Sequence, residues 1–416
     1  MVEEFWTPYH LIRNEVKAFC KSVRKFINKE VLPHEDEMDD YWDWTERKEH
    51  TFVEDIFKKL WIDLGLQKAF VPPKYGGVGD WSMVESASVV IEVARGDIGL
   101  AMTGFISHWA VASIMLPTPN DIIMKQVAKL LCGDKPYVIC NAITEPHGGG
   151  AIEDLRLKGS QTKTVARLEG NEWVINGHKL WPSAYREADA FIVVCAVEGE
   201  EFPNNIAQIF VPAQTPGITT SKPYRKMGCS IDTNGDIWFD NVRVPKENRL
   251  HDGIDEVKSL IAKETIGRCF NCAFAIGILR RMYEILKSYV DSREIAGKPM
   301  KEHGLIVHEL GKILSDIQSA EFVTWHAFEC LDHPEVYGPP WDYKQLSMAS
   351  LCQNIVTEHA WQAVNRALDL MGSHGYAREG KMEKLLRDIK VTQIVVGGPL
   401  LRITEATRHH FGTETI

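Results

Sequence analysis

Three consecutive glycines, Gly148 to Gly150, stand out in the segment ITEPHGGGA at residues 143–151. Successive glycines let backbone N–H groups approach a phosphate closely, which is the chemistry of an anion-binding nest. An ordinary glycine-rich turn accounts for the same residues equally well. The sequence has neither a G-x-G-x-x-G between a strand and a helix nor a G-x-x-x-x-G-K-[ST], so a nucleotide would have to be held in another way.

Cys269 and Cys272 form a C-x-x-C pair inside the apolar stretch IGRCFNCAFAIGIL. The sequence has no second C-x-x-C or C-x-x-H to complete a tetrahedral zinc site, so we predict no metal. The apolar periodicity around the pair predicts a buried helix, in which free cysteine behaves as a small hydrophobe. The nine cysteines are scattered along a long chain, which is typical of reduced thiols.

The composition is that of an ordinary soluble globular protein of 416 residues, with 44% hydrophobic and 25% charged residues. A formal net charge of −10 without a basic stripe argues against a nucleic-acid partner. The N-terminal residues lack an export signal, and the apolar run from Phe270 to Leu279 is too short to span a membrane. We therefore predict a cytoplasmic protein that does not bind membranes.

The pattern along the chain predicts three domains in the order α, β, α. Residues 1–135 show helical periodicity, residues 136–250 contain short runs of β-branched and aromatic residues, and residues 251–416 return to long helical patterns. The strands follow one another without intervening helices. This pattern predicts an α+β multidomain fold whose middle domain is a small antiparallel sheet or barrel, and not a doubly wound nucleotide fold.

Seven motifs in a common order resemble the acyl-CoA dehydrogenase family of flavoproteins along essentially the whole chain. They are Thr144-Glu145-Pro146 followed by Gly149, INGHKLW ending at Trp181, KMGCSIDTNGDIWFDNVRVPKEN from Lys226, Arg268, Ser292-Arg293 with Gly297, LMGSHGY around Gly372, and LLRDIKVTQI before Val395. The resemblance implies a homotetramer of subunits with a helical N-terminal domain, a β middle domain and a C-terminal four-helix bundle. It also implies FAD bound between bundle and sheet, an acyl-CoA substrate, and an electron-transferring flavoprotein as redox partner.

The resemblance assigns the flavin end of FAD to the segment from Ala142 to Thr144 and to Trp181 with Ser183. The family places a hydroxyl at the position of Ser183 to bond the flavin edge. The resemblance adds the backbone of Gly149 and Gly150 to these FAD-binding residues.

For the rest of the cofactor, Arg293 matches the arginine that reaches the FAD pyrophosphate of a neighbouring subunit. A permanently charged donor fork suits a pyrophosphate. Asp369, Gly372 and Ser373 match the segment at the adenosine end, where the family usually has Gln-x-x-Gly-Gly.

The resemblance also implies which residues bind the CoA thioester. Arg268 matches the family arginine near the CoA phosphates or ribose, and Gly150 replaces a serine that usually contacts both ligands. The other residues of the predicted substrate site are Thr265, Val396 and Gly397.

The catalytic base of the family is missing from both of its usual positions. In most members a glutamate that abstracts the α-proton stands where this chain has Val396, and a minority place it where this chain has Gly267. Asp97 is a candidate replacement, because an aspartate in this segment resembles relatives that oxidise cyclic acyl-CoA substrates. Asp97 can equally cap the helix that begins at Ile98. Glu264, one helical turn before Gly267, is a second candidate base.

Three interpretations stay open at this point. In the first, an unusual base serves an FAD-dependent dehydrogenase whose substrate is an alicyclic acyl-CoA, with Phe105 and Trp109 as a flat wall and His108 as a further acid or base. In the second, the protein cleaves a C–C or C–S bond and needs no base. In the third, it is a non-catalytic acyl-CoA-binding flavoprotein.

Overall fold

Helices form the first third of the chain in a computed structural model that describes residues 5–41, 52–156 and 162–413. Their boundaries follow local signals: Ser82 and Glu85 form a capping box at the start of the fifth helix, and Asn120 caps the seventh. The helices are α1 (Asn14–Phe26, extended by a π-helical turn at Ile27–Val31), α2 (Glu35–Asp39), α3 (Phe52–Lys58), α4 (Leu66–Ala69), α5 (Met83–Gly96), α6 (Ile98–Met115) and α7 (Asp121–Leu131).

Helix α6 is long and apolar enough to span a membrane by composition, with a mean hydropathy of 1.5. The prediction from sequence rests only on the run from Phe270 to Leu279, which is too short for a membrane span. Most of α6 is buried inside the protein, where it packs against α5 and the first strand. Its apolar surface is therefore covered by the protein's own core.

The middle of the chain folds into a seven-stranded sheet. Its strands are β1 (Ile139–Ala142), β2 (Val165–Glu169), β3 (Glu172–Leu180), β4 (Ala190–Val197), β5 (Ile206–Pro212), β6 (Ile218–Thr220) and β7 (Asp236–Pro245).

The sheet is mixed, so the prediction of an antiparallel sheet is wrong in this respect. Strand β4 pairs with β5 in the antiparallel sense and with both β1 and β2 in the parallel sense. Antiparallel pairs join β2 to β3, β3 to β7 and β7 to β6. A run of strands predicts hairpins, but β4 begins about 50 residues after β1, and strands that are not consecutive can pair in parallel.

Long helices return after the sheet. They are α8 (Ile254–Ser292), α9 (Gly304–Asp332), α10 (Pro334–Tyr337), α11 (Tyr343–Met371), α12 (Ser373–Tyr376), α13 (Met382–Ile394) and α14 (Gly398–Phe411), with a two-stranded ribbon of β8 (Glu294–Ile295) and β9 (Lys298–Pro299) between α8 and α9. Helices α8, α9, α11 and α13 pack on one another as a bundle. Cys269 and Cys272 are buried on α8, and all nine cysteines are free thiols.

The first and last helical regions share one hydrophobic core. Helix α5 packs along α8, and residues such as Val90 and Ile276 belong to the same buried cluster. The sheet has a separate core built around residues such as Phe191 and Ile209. The predicted domain boundaries fall in the connections between α7 and β1 and between β7 and α8. The sheet, α6, α8 and α13 meet around a large cavity.

Candidate active site

The cavity has a volume of about 930 Å³, and residues from distant parts of the chain line it. Its wall includes aromatic residues near α6, the glycine-rich loop after β1, the end of β3, and the loop between α13 and α14. A cavity of this size suits a large organic ligand. Four basic residues also line it, namely Arg225, Lys226, Arg387 and Lys390.

The segments that follow β1 and β3 bring residues assigned to the flavin into the wall. Thr144, Trp181 and Ser183 line the cavity, and Ser183 Oγ donates to Asp232 Oδ2 at 3.0 Å. Trp181 has a positive φ of 61° and exposes 52% of its surface. Its backbone is fixed on both sides, because Trp181 N donates to Gly235 O and Trp181 O accepts from Asn234 Nδ2. Ala142 instead packs in the core of the sheet.

The glycine-rich loop is closed on itself. Gly149 N donates to Glu145 O at 2.9 Å, and Gly149 adopts a positive φ of 53° that favours glycine. Glu145 is held by Lys179 Nζ at 2.8 Å and by Thr164 N. Gly150 lines the cavity, whereas Gly149 is exposed and is not part of the wall. The loop therefore presents the backbone at Gly150 to a ligand.

The usual base position is occupied by a strained valine. Val396 lines the cavity with a φ of 55°, which is unfavourable for a β-branched residue. Arg402 holds the loop, because its Nη1 donates to Val395 O at 2.8 Å and to Val396 O at 3.2 Å. Its Nη2 donates to Gln393 O. Strained backbone that the surroundings maintain is frequent at functional sites.

The alternative base position, Gly267, is filled by a neighbouring side chain. A Cβ built on Gly267 would lie 2.8 Å from the indole ring of Trp109. The indole Nε1 donates to Lys263 O one turn earlier on α8. A glutamate at position 267 therefore cannot coexist with Trp109 in this arrangement.

Asp97 does not reach the cavity, which corrects its candidacy as the base. Its Oδ1 accepts from Leu100 N at 2.9 Å, so it caps α6 as the alternative interpretation holds. Its Oδ2 accepts from Lys384 Nζ at 2.9 Å. Both oxygens are engaged, and Asp97 lies outside the cavity wall. The structure thus assigns Asp97 to the joint between α6 and α13.

Glu264 is fully buried and also lies behind the wall, but it contacts a carboxyl group that the sequence pattern does not single out. That group belongs to Glu153, in the short 3-10 turn Ala151–Glu153 directly after the glycines, and Glu153 lines the cavity. Burial raises the pKa of Glu153 well above its usual value, and the adjacent Glu264 raises it further. Burial likewise raises the pKa of Glu264. An acid three residues after Gly150 is the signal that could have identified Glu153.

Arg268 lies beside this carboxyl pair. Its Nη1 donates to Glu405 Oε1 at 2.9 Å and to Ser350 Oγ at 2.6 Å, all in a fully buried setting. Its Nη2 would lie 3.3 Å from a Cβ built on Gly397. Gly397 lines the cavity, whereas Thr265 is buried and donates to Ile261 O. Arg268 thus supplies positive charge close to the wall, and Thr265 contributes to helix packing.

The remaining predicted cofactor residues lie at the far end of the bundle. Arg293 is exposed at the C-terminus of α8, and Asp369, Gly372 and Ser373 stand at the end of α11. The two groups are neighbours, because Tyr289 OH donates to Met371 O at 3.3 Å. They lie outside the wall of the cavity in this chain. Their contacts with FAD stay a prediction.

Aromatic residues form the other end of the cavity. The rings of Phe70 and Phe105 meet edge to face at 5.0 Å, and Phe70 contacts Trp81 in the same way. His108 lies 4.0 Å from the Phe70 ring, and its Nε2 is 3.2 Å from Gln67 O. Burial lowers the pKa of His108 to about 4, so the imidazole is neutral near pH 7. This end of the cavity is apolar and uncharged.

The comparisons with known proteins agree with this site. Family models for the N-terminal, middle and C-terminal domains of acyl-CoA dehydrogenase match residues 13–121, 140–242 and 257–399. A probable acyl-CoA dehydrogenase, YngJ of Bacillus subtilis, is 29% identical over 390 residues, covering 93% of this chain and 95% of the relative. The cyclohexane-1-carbonyl-CoA dehydrogenase of Syntrophus aciditrophicus is 24% identical, covering 92% and 93%.

A solved structure shows the same fold. The glutaryl-CoA dehydrogenase of Mycobacterium smegmatis in complex with FADH2 superposes with a TM-score of 0.81 at 20% identity, covering 98% of this chain and 97% of that one. The chain belongs to the acyl-CoA dehydrogenase family, whose members are FAD-dependent oxidoreductases acting on the CH–CH group of acyl-CoA thioesters.

The residues present fit FAD. Trp181, Met227 and Ile394 line the cavity and each expose more than half of their surface in the isolated chain, which leaves an apolar rim for a flat ring system. The hydroxyl groups of Thr144 and Ser183 lie in the same part of the wall. Among the residues that the structure describes, no group of three His, Cys, Asp or Glu side chains could hold a metal ion.

Proposed function

We propose that this protein oxidises the CoA thioester of an apolar ring acid, of the cyclohexane- or cyclohexene-carboxylic type, and introduces a double bond into the ring. The observation that carries the proposal is the aromatic end of the cavity, where Phe70, Trp81 and Phe105 line the wall around the neutral His108. Rings packed edge to face offer flat apolar surfaces, and an apolar ring buries more area against them than a short straight chain does.

The absence of charge at this end argues against an acyl group that ends in a carboxylate. Burying a carboxylate without a cation is strongly unfavourable. Of the basic residues that line the cavity, Lys226 donates to Asn234, Arg387 binds Asp39 and Lys390 donates to Gln393. The relative that acts on cyclohexane-1-carbonyl-CoA supports the same preference.

FAD, when bound, accepts a hydride from the substrate. The chain's own residues position the reactants: Thr144, Trp181 and Ser183 form the wall on the flavin side, and Gly150 and Gly397 offer backbone to the thioester. The apolar rim around Trp181 excludes water from the bound flavin. Arg268, buried and paired with Glu405, provides positive charge behind Gly397.

The proposed assembly is a homotetramer that passes its electrons to an electron-transferring flavoprotein. The position of Arg293 supports an oligomer. It follows Arg268 by about 25 helical residues, or roughly 37 Å at 1.5 Å per residue, so Arg293 is remote from the cavity of its own chain. If Arg293 binds the pyrophosphate of a neighbouring subunit's FAD, dilution of the protein should lower the fraction of subunits that retain flavin. The variant Arg293→Ala should retain less flavin than the unmodified protein at every protein concentration.

A comparison of thioesters tests the proposed substrate. Purified flavin-loaded protein is mixed with cyclohexane-carbonyl-CoA, cyclohex-1-ene-carbonyl-CoA, butyryl-CoA or glutaryl-CoA and a ferrocenium acceptor, and products are identified by mass spectrometry. We expect kcat/KM for a ring thioester to be at least about tenfold higher than kcat/KM for butyryl-CoA. An apolar pocket typically discriminates by this factor against a substrate that lacks one or two carbon atoms. A preference for butyryl-CoA or glutaryl-CoA, or no oxidation of any thioester, would overturn the proposal.

A further inference from the structure

The carboxyl group of Glu153 sits between two glycines at the wall of the cavity. A Cβ built on Gly150 would lie 3.0 Å from Glu153 Oε1, and one built on Gly397 would lie 3.2 Å from Glu153 Oε2. Any larger residue at these two positions would press on the carboxylate. Gly397 directly follows Val396, so Glu153 brings a carboxylate next to the position that the family's base normally occupies.

The buried carboxyl groups of Glu153 and Glu264 also lack hydrogen-bond donors in the described part of the chain. Glu153 Oε2 and both oxygens of Glu264 have no hydrogen-bond donor among the described residues. Other buried acids of this chain are held by donors: Glu405 binds Arg268, and Glu321 binds Arg280 and Trp325. A buried carboxylate oxygen without a donor costs free energy, so a proton or a bound ligand has to satisfy these oxygens.

The two carboxyl groups are close enough to share a hydrogen bond. Such a bond needs a proton, because two adjacent buried carboxylates repel each other and cannot both ionise readily. Arg268 lies on the same side and favours the single negative charge that is left. The arrangement is therefore a carboxylic acid and a carboxylate with one proton between them.

We propose that Glu153 is the catalytic base of this protein and that Glu264 is a positioning residue that holds and tunes it through the shared proton. This assignment rests on the proposed function. The α-proton of the thioester passes to a carboxylate oxygen of Glu153, and the electron pair of the broken C–H bond forms the new C=C bond. FAD, when bound, would take up the β-hydrogen together with the electron pair of its C–H bond, which balances the oxidation.

Exchange of the α-hydrogen with solvent tests Glu153 without requiring turnover. Flavin-loaded protein is incubated in D₂O without an electron acceptor, and deuterium at the α-carbon of the ring thioester is followed by mass spectrometry. We expect Glu153→Gln to slow exchange by about 10²- to 10⁴-fold, which is the usual contribution of a general base. The amide of Gln at 153 can donate to Glu264, so the fold should persist. Asp255→Asn, an acid on α8 paired with Lys258, is the matched control and should exchange normally.

The pH profile of exchange tests Glu264. Glu264→Gln removes the neighbouring acid that raises the pKa of Glu153, so the acid limb of the profile should move to lower pH while the plateau persists. A merely structural contribution of Glu264 would lower the rate at every pH without moving the limb, and that result would contradict its role.

The outcomes separate the base assignment from the substrate proposal. If the unmodified protein exchanges and oxidises the thioester and Glu153→Gln does both at the same rate, the base assignment is wrong and the substrate proposal stands. If the unmodified protein neither exchanges nor oxidises any thioester, both fail. If Glu153→Gln does not fold, Glu153→Asp replaces it, and exchange unaffected by that shorter side chain would equally overturn the assignment.

Discussion

Lys384 Nζ lies 2.9 Å from Asp97 Oδ2 and joins the start of α6 to α13. The pair is buried, and Lys384 also donates to Asp388 at 2.5 Å. The carboxylates raise the pKa of Lys384 well above its usual value against the opposing effect of burial, so the ammonium stays charged. Asp97 therefore serves to fix the helix that carries the aromatic wall.

Asp97→Asn should lower stability and spare catalysis. Asparagine keeps the cap of α6, but the ion pair with Lys384 is lost, so we expect the free energy of unfolding to fall by about 1 to 3 kcal/mol. Urea unfolding and kcat/KM on the same preparation measure both effects. Asp97→Ala loses the cap as well and should fall by about 1 kcal/mol more. A folded, stable Asp97→Asn protein without turnover would return Asp97 to the role of base.

Acid should destabilise the protein through His108. Burial lowers the pKa of this imidazole from 6.5 to about 4 in the folded protein, so the unfolded chain takes up the proton first as the pH falls. The free energy of unfolding should therefore fall by about 3 kcal/mol as the pH is lowered from 6.5 to 4. His108→Phe should show a smaller fall over this range in urea unfolding at several pH values. Parallel stability curves for the two proteins would contradict this expectation.

Gly267 should be intolerant of even one methyl group. In Gly267→Ala the new Cβ meets the Trp109 ring at 2.8 Å, so the indole must move, and we expect a loss of about 1 to 3 kcal/mol in unfolding free energy. A higher KM for the ring thioester should accompany it, because Trp109 lines the cavity.

Gly311 on α9 offers the matched control. A Cβ built there meets no described atom within 4 Å, and its φ is not positive. Gly311→Ala should therefore gain about 0.5 to 1 kcal/mol. Equal destabilisation by the two substitutions would show that crowding at Trp109 is not the cause.

A glutamate restored at position 396 should rescue the loss of Glu153. Val396 lines the cavity beside Gly397, and an unbranched side chain suits its φ of 55° better than valine does. In the background of Glu153→Gln, Val396→Glu should raise the α-hydrogen exchange rate at least about tenfold. Val396→Gln in the same background should not. No gain with Glu, despite unchanged thioester binding, would show that the wall at 396 does not face the reacting carbon.

Much of the fold follows from local pattern. Periodicity predicts the long helices of both ends and the strands between them. The family resemblance assigns Trp181 and Ser183 to the flavin, and both line the cavity. The direction of β4 relative to β1 does not follow, because pairing across about 50 residues is decided by tertiary packing. For the same reason, the sequence pattern alone does not predict that the sheet is mixed.

The proposed catalytic base also could not be predicted from the local sequence pattern. An aspartate before an apolar run is an N-cap signal, and the structure places Asp97 in that role. Glu153 looks like a loop acid in the sequence. Its burial depends on Gly397 and Glu264, which are more than a hundred residues away in the chain, so local pattern cannot reveal it.

The parallel pairing of β1 with β4 has a consequence for synthesis of the chain. Ile139 leaves the ribosome about 50 residues before its partner Ala190. At 5 to 20 residues per second, this strand waits for roughly 3 to 10 seconds without its neighbour. During that interval its apolar side chains are open to chaperones and to other nascent chains, so slow translation of residues 143–190 should increase aggregation of this protein.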